Sequence, residues 1–361
     1  MASSRLTALV FGALAAIAPL CALPAGAARP RPALVNVAGC SLFDMKGNRL
    51  KRYFGWVCGF FPNGNLLLGD GFTLTFYDSR MNIVWSRDVH SHHVINVTPD
   101  GRTALVITSQ ILRGVTRIDR LEVIDDRGTL VRAFGFKESD SFWSGPQNWD
   151  KYVLPGVQDE LTLIESFHQI GKNASSEPYL AEGGYLASDA GGMLYFFDPT
   201  LTRIVHRINL RKAWGVESLR DVQVTKRGTI LAYNSSNSWR GKRFTTIEER
   251  DPRTGALVWS YQMNPPTAFY GSYEGNVQEL PNGNFLFSMV RNEVTGQKRK
   301  SVPALYEEPW MEVQGKLRLF EVTKAGKIVW RMANDGRDLT GMPNTGRRID
   351  FSNYLKNKGR Y

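Results

Sequence analysis

The sequence predicts an all-β fold, a six-bladed β-propeller of four-stranded antiparallel blades. Three observations carry that expectation. Polar turns followed by β-branched runs recur through the chain, they return in a fixed order, and the spacing is roughly 40–50 residues, the period of a four-stranded blade. Hydrophobic residues at 42% supply an ample core, and charged residues at 22% exclude a disordered chain.

One unit is a turn leading into an apolar run that ends on an aromatic or long side chain. It reads Asp44 to Lys51, Asp78 to Trp85, Asp125 to Arg132, Asp198 to His206, Asp251 to Trp259 and Thr323 to Trp330. A second unit precedes most copies: Pro62-Asn63-Gly64, Pro99-Asp100-Gly101, Lys226-Arg227-Gly228 and Pro281-Asn282-Gly283, each followed by an apolar strand. Such turns join short antiparallel strands. The order strand, turn, strand, strand, turn, strand makes one blade. The Asp251–Trp259 copy resembles the tryptophan-docking repeat of quinoprotein-like propellers, where it packs blades together. The first copy lacks inner strands, so residues 33–53 are expected to supply the outer strands of a blade completed by Arg348 to Phe351. That arrangement closes the ring with the N- and C-terminal strands and leaves no exposed edge. The long gaps near 133–180 and 290–315 read as insertions. A seventh blade within 149–180, from Tyr152–Leu154 and Leu161–Ile164, is the alternative.

The N-terminus reads as an address. Arg5 precedes the apolar run Leu6 to Leu23, and Ala25-Gly26-Ala27 supplies small residues for cleavage, so residues 1–28 form a signal peptide and 29–361 a single exported domain, periplasmic or secreted. No span remains after cleavage that could cross a membrane as a helix. Cys21 leaves with the signal. Cys40 and Cys58 then either form a disulfide, which an oxidising compartment permits, or stay as two buried thiols. No CxxC is present. The formal charge, 45 − 34 = +11, favours anionic partners. The longest basic cluster, Lys298-Arg299-Lys300, lacks the interleaved aromatics of a nucleic-acid groove.

Equivalent positions in the repeats point to a site. Stepping back eight or nine residues from each turn glycine reaches Gly55 and Trp56, His92 and His93, Leu219 and Arg220, and Glu274 and Gly275. Innermost strands line a propeller's channel, so these residues converge there. Strand alternation places His90 and His92 on one side and His93 on the other. Neither HExxH nor a carboxylate triad accompanies His90-Ser-His-His93, so no metal and no cofactor is expected. GxSxG, Walker and dinucleotide motifs are absent.

His92 to Gly101, Asp221 to Val224, Tyr270 to Asn284 and Glu321 to Trp330 together resemble the bacterial arylsulfotransferases. The resemblance implies a six-bladed exported propeller that moves a sulfuryl group from an aryl sulfate to a phenol through a sulfated histidine. It implies His92 or His93 as nucleophile, Glu274 as proton acceptor, and Arg220, Trp56 and Tyr273 as substrate-binding residues. The chain departs from the family pattern in having Val94 where an Asp follows the two histidines, and Glu274-Gly275 where the transferring histidine is expected. A non-catalytic propeller that binds an anionic small molecule or a protein partner is therefore the alternative. A quinone-dependent dehydrogenase, a third class, lacks the calcium-ligand pattern and adjacent cysteines.

Overall fold

The structure is a computed structural model. It describes residues 8–10, 34–36, 40–43, 49–53, 55, 57–98, 100–112, 116–137, 159–160, 162–216, 219–239, 242–263, 275–291, 316–333 and 347–349. Five successive antiparallel meanders of four strands dominate it, spanning 57–88, 90–135, 164–209, 220–261 and 277–333. Asp159–Glu160 adds a short parallel bridge to the second. The first strand of each meander contacts the first strand of the next, so the sheets fan outward from a shared axis as propeller blades.

Turn chemistry explains why each blade folds back on itself. Asp78, Asp125, Asp198 and Asp251 open the turns between third and fourth strands. Asp78 Oδ1 accepts the N–H groups of Arg80 and Asn82 at 2.9 and 2.8 Å, and Asp125 Oδ1 those of Arg127 and Thr129 at 3.0 and 2.7 Å. These bonds favour the ionised carboxylate. At Asp198 partial desolvation works in the opposite sense, but hydrogen bonds from Thr200, Thr202 and Arg203 outweigh it and hold the carboxyl down at about 2. Gly128 and Gly255 occupy the left-handed position of two such turns, at φ +85° and +72°.

Each core cluster straddles neighbouring blades. One joins Leu66, Leu67 and Phe76 to Ile95, Val106 and Ile124, and another joins Leu121 and Val123 to Phe167, Tyr195 and Phe197. The runs that end the repeats behave differently from the interior ones. Ile83-Val84, Leu130-Val131, Leu257-Val258 and Ile328-Val329, on the outermost strands, are exposed. After Ile83-Val84 and Leu257-Val258 it is the following tryptophan that packs. Trp85 stacks on Phe76 and donates to Gly128 O of the next blade at 2.8 Å, and Trp259 lies against Phe285 and donates to Lys324 O at 2.7 Å. Trp214, from the short helix Leu210–Trp214, rests on Gly255, where an added Cβ would run into the indole. The expected docking role of these turns is what the geometry displays.

Leu34–Asn36, Ser41–Phe43 and Arg49–Arg52 form a further antiparallel sheet, and Arg347–Ile349 lies at its far edge. Ala8–Val10, within the expected signal segment, stands between Leu34–Asn36 and Arg347–Ile349. Cys40 and Cys58 are disulfide-bonded with Cα atoms 6.0 Å apart, tying this sheet to the first blade.

The segment near 133–180 differs from expectation. Ile164–Gln169 is no insertion: it is the first strand of the third blade, paired with Tyr185–Asp189, while Tyr152–Leu154 and Leu161 of the alternative seventh blade lie outside the described residues. The sequence hid this because the turn after it is replaced by the longer Gly171–Gly184 connection, which contains the 3-10 turn Pro178–Leu180. Near 290–315, Arg291 pairs with Lys316, and the intervening residues lie outside the described set.

Candidate functional site

The inner strands Val57–Phe60, His90–Val97, Ile164–Gln169, Arg220–Val224 and Val277–Glu279 surround the axis. Three of them are bulged, at 92–94, at Glu165 and at 221–222. A bulge places an extra residue in a strand and re-aims its side chains. His93 and Asp221 accordingly adopt left-handed φ values of +59° and +41°, conformations that side-chain-bearing residues hold only under tertiary constraint. The bulge also overrides simple alternation: the His93 ring is 4.6 Å from the His92 ring, and His90 is 5.4 Å from it.

The buried polar groups form a repeated device. His92 Nε2 donates to Asp119 Oδ1 at 2.9 Å, Ser109 Oγ donates to the same oxygen at 2.8 Å, and Asp119 Oδ2 accepts the N–H of Ile164, the first residue of the next blade's inner strand, at 2.6 Å. One junction further on, His168 Nε2 donates to Asp221 Oδ1 at 2.6 Å, and Asp221 Oδ2 accepts the N–H of Val277 at 2.8 Å. Each aspartate thus holds an imidazole with one oxygen and the following blade with the other. Asn96 adds a bond to Phe167 O at 2.8 Å, and Ser166 Oγ accepts the N–H of Val222 at 3.1 Å.

Arg220 is the expected anion binder, and its Nη1 lies 2.7 Å from Glu165 Oε1. Burial pushes the Glu165 carboxyl up to about 7, against the attraction of Arg220 and aided by Asp189, and its Oε2 has no hydrogen-bond partner. Asp189 is itself raised to about 6 by burial, opposed by bonds from Met193 N–H and the Tyr195 hydroxyl.

Of the residues the sequence singled out, His92 and His93 lie side by side on the inner strand His90–Val97, and Arg220 opens the inner strand Arg220–Val224 two blades on, against Glu165. His92 is buried with Nδ1 sealed from solvent, and His93 is half-buried. Trp56, Tyr273 and Glu274 lie outside the described residues. Gly275 is described and buried, and a Cβ there would overlap the Tyr233 ring. Sequence reasoning missed Asp119, Glu165 and His168. One signal was present: of five histidines in the chain, His90, His92, His93 and His168 all fall on two adjacent inner strands, with only His206 elsewhere. Among the described residues no group of three or more His, Cys, Asp or Glu is arranged to hold a metal ion, and no helix is long and apolar enough to cross a membrane.

No protein-family model and no curated protein matches the chain. Its fold is similar to the crystal structure of a protein of unknown function from Bacteroides caccae, with a TM-score of 0.56 and 13% identity over 89% of this chain and 99% of that one. The β-propeller domain of Cps50 (Swd1) from Myceliophteria thermophila aligns with a TM-score of 0.46 and 11% identity over 92% of this chain and 88% of that one.

Proposed function

We propose that this chain is an exported, six-bladed propeller that binds an anionic ligand, with its ring closed by strands from both ends and its inner histidines His92 and His168 held by the aspartates that fasten one blade to the next. The observation that carries the reading is that His92, His168 and Arg220 are each joined to a buried carboxylate. A sulfate entering beside Arg220 would have to displace Glu165, and attack by His92 would have to break its bond to Asp119. Both exchanges leave a buried charge uncompensated, which costs several kcal/mol in proteins, roughly 3–5 for a broken pair. The overall charge of +11 supports an anion as ligand.

Sulfuryl transfer is the second reading, and one observation favours it: the half-buried, backbone-strained His93 at the bulge. In that reaction an imidazole nitrogen attacks sulfur and the aryl oxygen leaves as a phenolate. A phenolic acceptor then takes the sulfuryl group from nitrogen and loses its proton to Glu274. Incubation with 4-nitrophenyl sulfate and phenol decides between them. The binding reading expects no 4-nitrophenol release above the uncatalysed background, with His92→Ala, His93→Ala and Arg220→Ala indistinguishable from the parent. Release that His93→Ala abolishes would replace it with sulfuryl transfer.

A further inference from the structure

One ion pair between the inner strands is lopsided. Glu165 stands at the bulge of Ile164–Gln169, and Arg220 opens the inner strand of the next blade. Arg220 Nη1 meets Glu165 Oε1 at 2.7 Å, while Glu165 Oε2 is sealed from solvent with no hydrogen-bond partner. A buried carboxylate keeps its charge only when it is paired and hydrogen-bonded. Glu165 has its cation on one oxygen alone, so burial favours the protonated form and Oε2 is the atom left to carry the proton.

The other titratable groups nearby are engaged elsewhere. Arg220 and Asp189 are the two charges that act on Glu165, with opposite signs. Asp189, on the neighbouring strand Tyr185–Asp189, accepts the Met193 N–H and the Tyr195 hydroxyl. On Arg220–Val224, Asp221 takes His168 and the Val277 N–H. On His90–Val97, His92 is held by Asp119, whose second oxygen receives the Ile164 N–H, and the His90 and His93 rings lie against His92. Thr103–Leu112 carries no ionisable side chain. Within the pair, the Arg220 side chain is 16% exposed and that of Glu165 4%, so a solute reaches the guanidinium first. While Glu165 is ionised the pair is neutral, and an arriving anion meets a buried like charge. Once Glu165 is protonated the pair carries one net positive charge, which an oxyanion neutralises through the planar guanidinium fork.

We propose that Glu165 is a proton-operated gate on an oxyanion site at Arg220: one sulfate or sulfonate group binds together with one proton, which Glu165 Oε2 accepts from solvent. No other bond forms or breaks. The gate deepens the anion-binding reading and rests on it, and it removes the penalty of displacing Glu165, since a protonated carboxyl leaves no buried charge behind when the anion takes the guanidinium.

The probe is benzenesulfonate, which stays ionised throughout the range used, titrated calorimetrically into the full chain. Its dissociation constant is expected to rise about tenfold per pH unit above pH 7, with uptake of about one proton per bound ligand at pH 8, read from the difference in heat between Tris and imidazole buffers. Glu165→Gln, neutral at every pH, binds as the parent does at pH 6, without pH dependence or proton uptake. Arg220→Ala abolishes binding. A dissociation constant that is flat with pH overturns the gate even if neither variant folds, and so does proton uptake that Glu165→Gln retains, which would belong to the histidines of His90–Val97; in both cases the anion site stands. Absence of saturable binding at millimolar probe in both the parent and Glu165→Gln at pH 6 overturns the anion-binding reading together with the gate.

Discussion

Glu165 is the side chain whose environment contrasts most with its chemistry. In an unfolded chain its carboxyl ionises near 4.5, whereas in the folded protein it holds its proton up to about 7. Between those values the folded state binds more protons than the unfolded one, so stability is lost as pH rises through that window. Asp189 acts in the same sense from its ordinary value of 3.8 up to about 6. Urea denaturation at a series of pH values should show Glu165→Gln flattening the decline between pH 5 and 7, by an amount on the order of a few kcal/mol. An unchanged slope would mean that Glu165 is not the group responsible. Asp221→Ala leaves His168 and the Val277 N–H without their acceptor, and should lower stability by roughly 3 kcal/mol or more. His92 was legible as an inner-strand residue because a turn glycine fixes its distance from the hairpin. Asp119 was not, because it sits on a third strand, within Arg117-Ile118-Asp119-Arg120, and meets His92 only through a register set by two intervening strand pairings.

The element that repeats most faithfully is the turn between third and fourth strands, and its legibility had a physical basis. An aspartate that satisfies its own turn's N–H groups needs no tertiary partner, so the motif reads correctly from local sequence alone. The third blade's first strand had no such marker. Its following connection is held by longer-range bonds, among them Asn173 Nδ2 to Leu180 O at 2.8 Å and Ala174 N–H to Lys226 O at 2.9 Å. Docking through the turn has measurable weight. Gly128→Ala would set a Cβ 2.6 Å from Trp85 Nε1 at a φ of +85°, and a loss of about 2 kcal/mol is expected, seen as a lowered thermal midpoint. The Cys40–Cys58 bond spans 18 residues, so replacing both cysteines with alanine should cost roughly 3 kcal/mol. Equal midpoints for the parent with and without reductant would indicate that the bond does not constrain the chain.

At the scale of the whole molecule, the sequence revealed that similar four-stranded units follow one another, of which five are described, better than what joins the ends. Residues 347–349 pair with residues 8–10, which stand between them and residues 34–36, rather than completing the sheet of residues 34–52 directly, and strand pairing between segments more than 300 residues apart carries no local signal. Export adds a test. The mature protein should begin near Arg29, and mass spectrometry that finds Ala2 or Leu6 in the secreted product would remove the signal-peptide reading.

The aspartate fasteners have a direction. Asp119 grips Ile164 and Asp221 grips Val277, and Trp85 and Trp259 likewise reach toward turns that follow them in the chain. These four bonds run from an earlier blade to a later one, while Asp221 also takes His168 from the blade before it. During synthesis, the first blade presents the Trp85 indole, the second the Asp119 carboxylate and the fourth both Asp221 and Trp259, with partners not yet made, and the arrival of the next blade satisfies them. The protein is thus suited to assembling vectorially, from its first blade to its last. A nascent chain halted between Asp119 and Ile164 would carry Asp119 with Oδ1 already held by His92 and Ser109 but its Oδ2 still awaiting the Ile164 N–H, and chaperone capture or proteolysis should peak at that length rather than fall evenly along the chain.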